Sequence, residues 1–295
     1  MTGARIRICY SKTQAGRYLS HLDLTRAMER SFRRIKAPLA FSEGFNPHVR
    51  MAFASALAVG STGLREYLDL DLTISVDIAA FGAALKEALP PALAYVGARE
   101  ISPSAESLSA VVNLAVYRIA AERASEERVS EATSSTKLES EANSSTKRSS
   151  VEYSSTEHAS SERASAERAT YEADQVTQMA REGIKGILAA DELWRIPRQK
   201  PGKKPAPPKE VRSLIRRLEL VESSRAGVSH AEASPAITIE AELIMSSDGH
   251  LRPDELWRMI ADSGGIELPF SLTVDRLALL ILRDGKTFDP MDVIQ

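Results

Sequence analysis

Two histidines and an aspartate are the residues of this chain best suited to proton chemistry. His21 and Asp23 stand two apart in SHLD, and His48 sits in the run FSEGFNPHVR. Histidine titrates near neutral pH and serves as a general acid or base. His21 and Asp23 make a poor catalytic couple, because positions i and i+2 of a helix point about 200° apart. A metal held by His21, Asp23 and His48 would need ligands scattered along the chain. That is a signal of low specificity, and no metal site is assigned. Three uses stay open for His48: phosphate donor, general base, or structural histidine with its hydrogen bonds met. The single cysteine, Cys9, excludes an intrachain disulfide and any cysteine-based metal cluster made by this chain alone. No Walker loop, G-x-G-x-x-G, nucleophile elbow or C-x-x-x-C-x-x-C occurs.

The stronger signal is for phosphate. Arg26, Arg30 and Arg33 follow one another at i, i+4 and i+7, with Arg17 and Arg34 nearby. Leu24, Ala27, Met28, Phe32 and Ile35 share the opposite, apolar face. Such an arginine face is either a solvated surface or an anion-binding one, and Glu29 offsets part of its charge. Arginine is the favoured side chain for phosphate recognition. The loop that follows has a physical logic of its own. Gly44 permits backbone angles that other residues avoid, and Asn46-Pro47 favours a turn. Phe45 either staples that loop or stacks on a base; the staple is the commoner use of a lone aromatic. Ser20, Ser42, Glu43, Gly44, Phe45, Asn46, Pro47 and Glu66 are the candidate pocket. A second basic stretch runs from Arg195 to Arg217, where nine Lys or Arg against the single acid Glu210 give a net +8. Lys200, Lys203, Lys204 and Arg212 within it are candidate backbone contacts, carried on a proline-rich arm suited to phosphate neutralisation.

Composition limits these readings. The 295 residues are 43% hydrophobic, enough for one large domain or two small ones. The formal charge is −2, so any positive surface must be local. Aromatic residues are only 5%, so stacking of many bases cannot dominate. The N-terminus MTGARIRICYSK is strand-like and lacks a signal-peptide core. No run approaches the roughly 18 apolar residues of a membrane span. A soluble cytoplasmic protein with no membrane partner is expected.

The elements that must position these residues fall into two halves. Arg5–Tyr10 alternates as a strand, a helix capped by Ser20 runs to about Lys36, and Leu39–Phe41 starts a second strand. Glu66–Ile74 is a strand, Asp77–Ala88 a helix, and Leu93–Ile101 a strand. In the second half Ser109–Ala120, Leu193–Ile196, Arg212–Val221, Ile237–Met245 and Leu272–Leu282 read as strands. Helices are expected near Asp174 to Ala190 and over Pro253–Asp262. The expected fold is α+β: tandem ferredoxin-like (split βαβ) domains with a long low-complexity insertion in the second. The domains are 1–103, and 104–121 joined to 173–285. Residues 122–172 form the insertion. They are rich in Ser, Glu, Ala, Arg and Thr and repeat SSTK, SSTK and SSTE every ten residues from Ser134. Such a composition buries too little apolar surface to offset chain entropy, and disorder is expected there.

The stretch from Arg5 to Leu72 resembles the radical-SAM-linked family known as DUF2344. The resemblance rests on the Tyr10-Ser11-Lys12 strand, the Ser20-His21-Leu22-Asp23 motif, the basic helix and the turn Phe41 to His48. It also rests on the family's G-x-x-S-x-x-E-Y-x-D segment, which Gly60 to Asp69 follows at Gly60, Glu66, Tyr67 and Asp69, with Gly63 where the pattern has Ser. EVRSLIRRLEL, GHLRPDELWRMI and VDRLALLIL fit more loosely. Residues 50–59 depart from the family's proline-rich stretch, and the repeat insertion is peculiar to this chain. Matching positions are Ser20, His21, Asp23, Arg26, Ser42, Glu43, Gly44, Phe45, Asn46, Pro47, His48 and Glu66. The resemblance implies an accessory protein of a radical SAM enzyme, acting on RNA. Any iron–sulfur cluster and S-adenosylmethionine would be carried by that partner, with no cofactor in this chain. The alternatives are an RNA-modifying or RNA-processing enzyme using His21, Asp23 or His48, and a pure protein adaptor.

Overall fold

The computed structural model describes residues 3–123, 174–195, 207–221, 237–246, 249–267 and 270–292. The repeat insertion (but for its first two residues) and Lys200, Lys203 and Lys204 lie outside these residues. The described chain is a mixed α+β structure built on one ten-stranded sheet.

In the first half, β1 (Ala4–Lys12) is central. Ile6, Ile8 and Tyr10 alternate toward one face, where helices pack, and Arg7 and Cys9 toward the other. A 3-10 turn at Gln14–Gly16 leads to α1 (His21–Arg34). Ser20 caps α1 by accepting from the Asp23 amide at 3.2 Å, and Asp23 sits in the first turn, where a negative charge meets the helix dipole. Leu24, Ala27, Met28 and Phe32 are buried, as their spacing predicts. The helix ends two residues short of expectation, because Lys36 turns to φ 54° and Pro38 follows. Leu39 and Phe41 form only isolated bridges, and the second strand comes later as β2 (Met51–Phe53). β3 (Ser61–Leu72), α2 (Ile78–Ala88) and β4 (Leu93–Ile101) complete the half. The sheet order is β2-β3-β1-β4, with every neighbouring pair antiparallel.

The second half opens differently from the expected strand over Ser109–Ala120. A helical turn, α3 (Leu108–Val111), precedes β5 (Leu114–Arg123) and seats Leu108 and Val112 against the back of the sheet. Helix α4 covers 174–189. A two-stranded ribbon follows from β6 (Trp194–Arg195) and β7 (Lys209–Glu210). A 3-10 turn at Arg212–Leu214 takes the start of the expected strand, leaving β8 (Ile215–Val221). Then come β9 (Ile237–Ser246), β10 (Gly249–His250), α5 (Pro253–Gly264), β11 (Phe270–Arg283) and β12 (Lys286–Phe288). The order β8-β9-β5-β11 repeats the order of the first half, again antiparallel throughout. Helices α4 and α5 meet backbone to backbone: a Cβ on Gly183 would fall 2.2 Å from the Ile260 carbonyl, and one on Gly264 2.2 Å from that of Met179.

The halves join where β11 runs parallel to the start of β3, with Val274 beside Ser61 and Arg276 beside Gly63. Thr62 donates its hydroxyl to Asp275 across this seam. Below it, Arg276 and Glu66 form a bidentate ion pair, Nε to Oε1 2.8 Å, with both side chains at most 2% exposed. Among the described residues no helix is long and apolar enough to cross a membrane.

Candidate nucleic-acid interface

Residues 39–50 leave α1 and fold into a finger. The bridge between Phe41 and Val49 closes its base. Ser42 holds the neck twice: its amide donates to the His48 carbonyl at 2.8 Å, and its hydroxyl accepts from the His48 amide at 3.0 Å. Backbone bonds from Ala40 to Asp71 and from Asp71 to Arg50 anchor the finger on β3. Gly44 adopts φ 119°, a region that L side chains avoid. The tip carries Glu43, Phe45, Asn46 and Pro47, all exposed, and His48 is exposed at the neck. Phe45 is fully exposed at 105%, so its ring does not staple the turn. Ser42 and the backbone close the neck instead.

Helix α1 leads to the base of this finger. Arg33 sits with its guanidinium 5.3 Å from the centre of the Phe41 ring and pairs with Glu29 at 2.7 Å. Arg26 and Arg30 are exposed and make no hydrogen bond or ion pair among the described residues. They continue, toward the start of α1, the face on which Arg33 stands. Arg34 is turned away and donates to the Ala88 carbonyl at 2.7 Å.

Other expected site residues go elsewhere. Arg17 donates to the Gly60 carbonyl at 2.6 Å, tying the start of α1 to the loop before β3. Ser20 and Asp23 hold each other: the Ser20 hydroxyl donates to the Asp23 carboxylate at 2.7 Å. His21 is exposed and stands edge-on to Phe53, with centroids 5.0 Å apart. No hydrogen bond joins His21, Asp23 or His48 to one another. Arg212 donates to the carbonyls of Leu188 at 3.1 Å and Ile215 at 3.2 Å, so it closes the end of α4. Among the described residues no group of three His, Cys, Asp or Glu side chains is placed to hold a metal.

Glu66 lies in the interior beside Arg276, away from the solvent-exposed finger. Its surroundings form a buried polar group that the sequence reading missed. Burial weakens the charge of Arg276, but the Glu66 carboxylate overrides that and raises its pKa. Burial lowers the pKa of Lys12, which donates to the Leu19 carbonyl at 3.2 Å; Glu66 opposes this shift and Arg276 adds to it. Burial also pushes the Tyr10 phenol well above its ordinary value, with Glu66 adding to the shift. One signal pointed there: Arg276 falls on the inward phase of Leu272 and Val274 in a strand otherwise apolar on that side.

Comparison with known proteins adds one finding. The family model for an uncharacterized protein conserved in bacteria (DUF2344) matches residues 5–253, from β1 to the first residue of α5. No curated protein matches the chain. With the match covering most of its length, the chain belongs to the DUF2344 family.

Proposed function

We propose that this protein is an RNA-binding accessory protein of a radical SAM system, without catalysis of its own. The observation that carries the reading is the fully exposed Phe45 on a turn closed by Ser42 and His48, following a helix that carries the unpaired Arg26 and Arg30. An exposed aromatic ring offers a stacking platform, and the guanidiniums of the preceding helix attract phosphates of the same strand. The repeated strand order favours tandem split βαβ units of the ferredoxin-like kind, an architecture that presents sheet edges and loops to RNA. The radical SAM partner rests on the family resemblance alone.

The catalytic alternative draws no support from geometry. Asp23 is engaged with Ser20, and His21 and His48 have no carboxylate partner. Filter binding of single-stranded RNA across a salt series tests the proposal. Each phosphate contact adds about −0.7 to the slope of log affinity against log salt. An Arg26→Glu/Arg30→Glu variant should therefore bind more weakly and flatten the slope by about 1.4. Wild-type binding that ignores salt, or is untouched by the two substitutions, rejects the proposal. RNA turnover by the purified chain that is lost in His48→Ala would favour the enzyme.

A further inference from the structure

A second site lies on the seam between the halves, away from the finger. The loop 55–61, which enters β3, faces the segment His250–Asp254, which enters α5. Between them is an open cleft of about 600 Å³, floored by Leu272 and Val274 of β11 and by Leu243 and Met245 of β9. That volume falls within the usual range for small-molecule sites, roughly 300–1,000 Å³. The floor is apolar, and polar side chains, His250, Arg252 and Asp254 among them, stand around it.

One of them is Ser61, which is 6% exposed as a residue and lines the cleft; its hydroxyl has no hydrogen-bond partner among the described residues and is not sealed from solvent, so it is presented to the cleft. Its neighbour Thr62, by contrast, donates to Asp275. The opposite wall supplies further donors. Helix α5 is 12 residues long and begins at the cleft. Arg252 stands at its N-cap and its side chain cannot accept a hydrogen bond; the Glu255 carboxylate takes the Arg252 amide at 3.2 Å, which leaves the amides of Asp254 and Glu255 without a side-chain cap. The acids of that turn are already neutralised: Arg252 holds Asp254 at 2.7 Å and Arg195 holds Glu255 at 3.0 Å. Donors thus stand over an apolar floor: the Ser61 hydroxyl, the amides of Asp254 and Glu255, and the N–H groups of Arg252 that its pairing with Asp254 leaves over.

We infer that this cleft binds a small organic carboxylate with a compact apolar body, its ring or chain on Leu272 and Val274 and its carboxylate on the Ser61 hydroxyl and the start of α5. The site is independent of the RNA reading, because neither Arg26, Arg30 nor the finger lines it. Titration calorimetry on the full chain with 1-naphthoate as probe tests it, with naphthalene-1-methanol as the uncharged comparison. The expected result is saturable one-to-one binding of naphthoate and at least ten-fold weaker binding of the alcohol. Ser61→Ala should weaken naphthoate about ten-fold through loss of one hydrogen bond to a charged acceptor. Val274→Trp, which fills the floor, should abolish binding. Val59→Trp, on the exposed rim, serves the same purpose should the floor variant fail to fold. Absence of saturation in the wild type, unchanged affinity in Ser61→Ala, or wild-type binding by a folded filled variant overturns the inference.

Discussion

Phe45 separates stability from binding more cleanly than any other residue here. Its ring is fully exposed, so Phe45→Ala should leave the melting temperature within the small range typical of surface changes, about ±0.5 kcal/mol. The same substitution should weaken single-stranded RNA by about 1–3 kcal/mol, the usual worth of one stacked base. A variant that melts early, or that binds RNA as well as the parent, removes Phe45 from the interface. Cys9 shows the opposite behaviour. It is 1% exposed beside Tyr67, and burial pushes its thiol up to about 11 from an ordinary value of 9.0. The folded state therefore keeps its proton where the unfolded thiol has lost it. Stability from this source is full below pH 9 and falls as pH rises toward 11. The loss approaches about 2–3 kcal/mol at the top of that window. Urea melts of wild type and Cys9→Ala across this range should converge as pH rises; parallel curves would contradict the assignment.

At the scale of elements, capping and close approach decide what holds. Ser20 accepts one amide at the start of α1, whereas Asp77 accepts two at the start of α2, from Ala79 at 2.8 Å and Ala80 at 3.1 Å. Either residue changed to Ala should cost about 1 kcal/mol, with Asp77 the larger because it leaves two donors unmet. Chemical denaturation of the two variants side by side checks the order. The contact of α4 with α5 is less forgiving. Gly264→Ala would drive a methyl group into the Met179 carbonyl, and overpacking of this kind costs roughly 1–3 kcal/mol. Much of this level could be read from sequence. The stripe of α1, the proline that opens α5 and the alternation of β1 each placed an element within a few residues. Local rules failed where tertiary contacts prevailed. Ser109 to Val111 look like strand, but Leu108 and Val112 are needed as plugs on the back of the sheet, and a helical turn delivers them. The candidate site was legible in part. The positive φ of Gly44 follows from turn chemistry, while the Ser42–His48 neck and the full exposure of Phe45 do not, because composition cannot say which partner a loop side chain finds. Glu66 carried no mark of burial, since its partner lies 210 residues away.

The two halves behave as one molecule because of what is buried at their seam. β3 and β11 share only three residue pairs, from Val274 with Ser61 to Arg276 with Gly63. So short a parallel ladder is weak by itself, and ionic contacts reinforce it. Arg276 reaches across to Glu66 and also donates to the carbonyls of Ser55 and Ala56, each at 3.3 Å, so one side chain fixes the strand, the seam and the wall of the cleft. On the reverse face the C-terminal segment is tied back to the first half. Arg7 donates to the Pro290 carbonyl at 2.9 Å and Arg65 pairs with Asp289 at 2.6 Å. A buried pair need not be worth more than apolar side chains of equal size, but breaking it by half leaves an uncompensated charge. Arg276→Met should therefore destabilise the protein by about 3–5 kcal/mol and loosen the 55–61 loop, read as faster exchange of the hydrogen-bonded amides of Gly60 and Ser61. The double variant Arg276→Met/Glu66→Met should recover most of that stability, since neither partner of the pair is then left as an uncompensated charge. It should not restore slow exchange in the loop, because the donors to Ser55 and Ala56 are still missing. Recovery of both properties would assign the pair to desolvation balance alone. Recovery of stability without order in the loop would identify Arg276 as the residue that couples the joining of the halves to the shape of the cleft.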